Sequence, residues 1–153
     1  MTRIHADIDA LKALHQVMAR FRQAGRLVAD GGDDQIAVTR ASLEARAIRW
    51  RSRLEQGYAD LGACRQRAAE AAAAGNDDPV DCSEHARAVG EAEERLEHIR
   101  LWQYRVDQEA SEFLGIASRF RAVLEDDLPR TEDLLLAIIA SLEGARRLQV
   151  PGA

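Results

Sequence analysis

Proline is rare in this 153-residue sequence, with three in all, and aromatic side chains make up only 5%. Few breakers and few bulky β-formers, set among abundant Ala, Leu, Glu and Arg, favour helix over sheet. Lysine is nearly missing, because Lys12 is the sole lysine among 21 basic residues. No apolar run approaches the ~20 residues that a membrane span needs, so no membrane role is expected. The opening Met1-Thr2-Arg3-Ile4-His5-Ala6-Asp7 lacks the apolar stretch of a signal peptide, which points to a cytoplasmic protein. The two cysteines form no C-x-x-C pair, so a zinc or redox motif is not supported. A net charge of −5 weighs against nucleic acid as a partner.

What is present is helical periodicity in one domain, 1–153. Four segments are expected, at about 7–29, 34–74, 82–125 and 130–147. In the first, Leu11, Leu14, Met18, Phe21, Gly25 and Val28 step by threes and fours and share a face. Asp30-Gly31-Gly32-Asp33-Asp34 is expected to end it. The second carries Ile36, Arg40, Leu43, Ala47, Trp50, Leu54, Gly57, Leu61, Cys64, Ala68 and Ala71. This alternation of four and three is the 3.5-residue period of a coiled-coil seam, with Arg40 its one charged intrusion.

The third segment opens on Asp81-Cys82-Ser83-Glu84, which fits a capping box. Its seam runs from Cys82 and His85 through Val89, Ala92 and Ile99 to Phe113, Phe120 and Leu124. Asp126-Asp127-Leu128-Pro129 is expected to break it, since the residue before proline disfavours helix. The fourth turns Leu135, Ile138, Ile139 and Leu142 inward, and 150–153 form a frayed tail.

At ~1.5 Å per residue, the middle segments span roughly 60 Å and the outer two roughly 25–35 Å. Short breaks make successive helices antiparallel neighbours. The expected fold is therefore all-α: an antiparallel four-helix bundle on a long central hairpin, with a two-helix arm from about Leu61 to Leu96.

Seven arginines lie between Arg40 and Arg67 against Glu44, Glu55 and Asp60, and nine acids lie between Asp81 and Glu112 against four arginines. Charge pairing between these helices is expected to set their register. Cys64 and Cys82 both occupy seam positions. Two reduced thiols are expected, as in a cytosolic protein; the alternative is a disulfide, which would close a loop of ~18 residues and add roughly 3 kcal/mol. A di-iron bundle needs Glu-x-x-His pairs on the seam. Glu94 precedes His98 by four residues, and both lie off it. No phosphate loop or Ser/His/Asp order is present, so neither catalytic residues, cofactor nor metal is expected.

Residues 4–65, with Ile4-His5-Ala6-Asp7-Ile8-Asp9-Ala10-Leu11 near the start and Trp50 some forty residues on, resemble the Trp-x-Gly family of small secreted helical-hairpin proteins. Ser52 stands where that motif has glycine, and neither Tyr58 nor Tyr104 has an acid four residues on. The resemblance implies a non-catalytic partner or targeting subunit, exported without a signal peptide.

The functional expectation is a protein–protein interaction module: an adaptor, chaperone-like or targeting partner of a secreted toxin, effector or secretion component. A self-associating structural protein (a homodimer) is the alternative, and a metal-dependent bundle enzyme the next. Arg87, Glu94 and Trp102 are the expected partner-binding residues.

Overall fold

The computed structural model describes residues 2–149, and the secondary structure among them is helical throughout. Helix α1 spans Thr2–Ala73 and α2 Ser83–Ala122; a π-turn at Val123–Asp127 leads into α3, Leu128–Gln149. The tail expected at 150–153 lies outside the described residues. The chain forms two compact units. The terminal unit sets residues 2–34 against 111–149, and the hairpin unit comprises 35–110.

Two of the three expected breaks do not occur. Helix α1 runs through Asp30-Gly31-Gly32-Asp33-Asp34, and the chain stays helical through Asp126 to Pro129. Each unit therefore consists of two antiparallel helical stretches, and in place of the four separate segments expected there are three α-helices among the described residues.

The first correction has a steric and an ionic cause. Gly32 faces Phe113 so closely that a Cβ there would lie 2.2 Å from the ring's Cζ. The missing side chain is filled by an aromatic ring, which offsets the ~1 kcal/mol that glycine costs a helix. Arg121 reaches across to Asp30 at 3.4 Å and to Asp33 at 2.5 Å. These two aspartates, three apart, share a helix face and are held there instead of capping a new helix.

The second correction follows from proline chemistry. Pro129 has no N–H, and its ring would collide with the carbonyl four residues earlier in a regular α-helix. The wider π-turn relieves that crowding: the Leu128 N–H bonds to the Val123 carbonyl, five residues back. The extra residue also rotates everything after it. Leu124 is fully buried, and the inward positions beyond the turn become Glu132, Leu135 and Ile139, with Leu142 packed beside them. Ile138, expected inward, is 42% exposed.

The first segment is likewise turned from its expected register. Leu14, Phe21 and Val28 are 48%, 53% and 71% exposed, while Ile8, Gly25 and Ala29 are buried and Leu11, His15, Met18 and Arg22 half-buried. Stepping back from Ile36 by sevens gives Ala29, Arg22, His15 and Ile8, so one line of seven-residue steps runs through the buried side of α1. The more apolar stripe through Leu14 and Phe21 lies one step round the helix. At Gly32, Ile36 and Arg40 two four-residue steps follow each other, a stutter in the repeat, where one unit gives way to the other.

At the end of α1, Gly75 has φ +76°. The Asn76 N–H bonds to the Ala71 carbonyl and the Gly75 N–H to Ala72, a Schellman closure that uses glycine's left-handed freedom.

The two neighbouring glycines in α1 should respond oppositely to alanine. Gly32→Ala, driven into Phe113, should destabilise the protein by about 1–3 kcal/mol. Gly31→Ala meets nothing within 4 Å and should stabilise it by up to about 1 kcal/mol. Urea unfolding of the two variants measures both.

Candidate interaction surface

The hairpin unit is built on small residues. Ala47, Cys64 and Ala92 are almost completely buried, with Leu61, Val89, Ile99 and Ala110 beside them. Gly57 lets Val89 approach to 3.1 Å of where a Cβ would stand. Near the turn a disulfide joins Cys64 to Cys82, with Cα atoms 5.9 Å apart. Asp81 begins α2 by accepting the Ser83 N–H at 2.9 Å. That bond holds the Asp81 carboxyl below its ordinary range.

The opposite charges of the two helices meet less often than their totals imply. Among the described residues, one ion pair crosses this unit's seam, Arg40 to Asp107 at 3.0 Å. Arg40, the charged intrusion in the seam, lies at the surface and uses its length to get there. Gln103 donates to Glu44 at 3.3 Å, and the Tyr58 hydroxyl donates to Glu93, which raises the phenol's pKa. The other ion pairs of this unit lie within single helices: Arg51–Glu44, Arg100–Glu97 and Arg105–Glu109. Trp50, half-buried, lies between Arg53 and Arg95, whose guanidinium carbons are 4.6 and 5.7 Å from its ring. A shallow cleft of about 280 Å³ opens there over Gly57 and Ala92.

Arg87, Glu94 and Trp102 all face outward on α2. Arg87, Glu94 and Leu101 follow one another at intervals of seven, a single line along the helix with about 10 Å between successive members. The exposed Tyr104 stands next to that line beside Leu101, and Trp102, 56% exposed, lies about 100° round the helix from Leu101. Arg105 lies over the Trp102 ring at 5.7 Å, and Tyr104 accepts a hydrogen bond from Gln108. Arg87 and Glu94 thus share one line, Trp102 lies about a quarter turn from it, and the three do not converge on a point, an arrangement suited to docking along a helix. Among the described residues, no three His, Cys, Asp or Glu side chains are placed to hold a metal ion, and no helix is long and apolar enough to cross a membrane.

The terminal unit carries a surface that the sequence reading placed in the core. One flank is bridged by charge: Lys12 pairs with Glu143 at 2.6 Å, lowering the carboxyl's pKa, and Arg121 pairs with Asp33. On the other flank Leu14, Phe21 and Val28 of α1 stand exposed, as do Ile116, Val123 and Ile138 of the returning chain. The seven-residue step back from Ile36 is the signal that would have separated this flank from the seam.

Comparison with protein-family models, curated proteins and solved structures returned no match.

Two features of the turn can be tested by unfolding. Closing an 18-residue separation should stabilise the oxidised protein by about 3 kcal/mol over the reduced one, measured by urea melts with and without reductant. The Asp81 cap has a folded pKa below its unfolded value. Its stabilisation is therefore fully present above about pH 4 and lost as pH falls through the folded value. The difference in Tm between wild type and Asp81→Ala should hold from pH 7 to about 5 and close in stronger acid.

Proposed function

We propose that this protein is a non-catalytic interaction module that binds another protein through the outward face of α2. The observation that carries the reading is the exposure of three large side chains, Leu101, Trp102 and Tyr104, within one turn of a regular helix, with Leu101 and Tyr104 on the side of Arg87 and Glu94 and Trp102 about 100° round from Leu101. Exposed aromatics on a rigid element are the side chains from which interface hot spots are made, because they bury a large area for little lost freedom. Charged groups of both signs along the same line give selectivity by matching or clashing with a partner's charges.

The more specific role is an adaptor, chaperone-like or targeting partner of a secreted toxin or effector. That role rests on the resemblance of residues 4–65 to the small secreted helical hairpins. The Cys64–Cys82 bond adds a physical argument for export, since disulfides persist in oxidising compartments and are rare in the cytosol.

The test is co-purification of the protein from its own organism, followed by binding measurements with the partner recovered. Trp102→Ala should weaken that complex at least tenfold, and Arg87→Glu with Glu94→Arg should weaken it further, with helicity and Tm unchanged. Unaltered affinity in all these variants would overturn the placement, and a protein that recovers no partner would overturn the reading.

A further inference from the structure

The terminal unit has two seams on each of its helices and uses one. On α1, Leu14, Val17, Phe21, Ala24 and Val28 recur by threes and fours beside the buried seam, continued by Ala10 and Gly31, and none of the seven is charged. On α3, Leu134, Ile138, Ser141 and Ala145 repeat the pattern, again without charge. Ile116 and Val123 extend it on the other side of the π-turn, with Arg119 between them and Asp127 after.

In an antiparallel pair, equivalent flanking positions fall on the same side. The second seams of both helices therefore form one apolar flank, opposite the flank closed by Lys12–Glu143 and Arg121–Asp33. The hairpin unit lacks such a flank: the corresponding positions hold Arg46, Arg49, Arg53 and Arg67 on α1 and Glu91, Arg95 and Glu109 on α2. Charge in those places is what a two-stranded coil presents to water.

We propose that the apolar flank of the terminal unit docks on the same flank of a second copy of this chain, making a four-helix bundle from two terminal units. Three observations select a second copy. Each helix of a four-helix bundle touches two neighbours and so needs two seams, which is what residues 2–34 and 111–149 carry. A two-fold interface sets a surface against itself, so like charges near its centre would meet; the positions of this flank on α1 and α3 are uncharged, and Arg119 and Asp127 on the stretch between are of opposite sign. Taking the exposed fractions of Leu14, Val17, Phe21, Val28 and their counterparts on the returning chain, the apolar area available is on the order of 800 Å², the share each partner buries in a standard stable complex. The inference does not depend on the α2 face, which lies in the other unit.

Light scattering of the purified full chain across a range of concentrations reads the result. The expected mass is twice 16.9 kDa. Phe21→Asp with Ile138→Asp should return it to one chain, with helicity by circular dichroism retained because both residues are exposed within a single copy. Trp102→Ala should leave the doubled mass unchanged. If the double variant loses helicity, a spin label at Arg20→Cys in the otherwise intact protein replaces it, and dipolar coupling between labels of two chains is then expected. A single-chain mass at every concentration would overturn the proposal and leave the flank to a different protein. So would a doubled mass that survives the double variant with helicity intact, or labels without coupling.

Discussion

Close approach between helices depends here on glycine and alanine facing large side chains across the seam. Gly25 leaves room for Phe120 and Leu124, Gly32 for Phe113, and Gly57 for Val89, while Ala29, Ala47, Ala92, Ala110 and Ala117 are buried. Each such pairing lets backbones draw together until dispersion contacts are dense. The same pairing limits how much can be hidden. Two helices alone bury one stripe each, so any apolar side chain beyond that stripe remains on the surface. The exposed flank of one unit and the aromatic group on the other are direct results of that geometry.

Polar groups then decide the register that apolar packing leaves loose. Glu132 is 7% exposed and pairs with Arg22 at 3.3 Å, placing an ion pair within the seam itself. Its other oxygen has no partner in the protein. Such a pair adds little net stability, because desolvation offsets attraction, but shifting the helices would strand a buried charge. Further out, Arg40–Asp107 and Lys12–Glu143 repeat the same alignment at exposed sites, where each is worth ~1 kcal/mol or less.

Helicity and the hairpin unit's seam from Ile36 to Ala71 were legible in the sequence, because heptad spacing there is unbroken and its outer positions are charged. The ends of the helices were less so. Asp-Gly-Gly-Asp-Asp reads locally as a stop, and only Phe113 and Arg121, some eighty residues away, make it helix. Asp-Asp-Leu-Pro reads as a stop as well, yet a π-turn carries the chain through. In residues 2–34 two stripes compete. The richer one, through Leu14 and Phe21, attracts a reading by hydropathy, whereas the one continuous with Ile36 is the one buried. The outward position of Arg87, Glu94 and Trp102 followed from their place off the seam; what they bind is not encoded in that pattern.

The π-turn at Val123–Asp127 has one more consequence. It absorbs a single residue between two stretches that each keep a regular repeat. Were the same residues to run on as an unbroken α-helix, all of α3 would turn by about 100°. Leu134 and Ile138 would then face α1, and Leu135 and Ile139 would face outward. The helix would lose neither length nor hydrogen bonds, yet its inner and outer surfaces would trade places. One residue in 153 thus works as a phase setting, choosing which of two apolar stripes is core and which is interface.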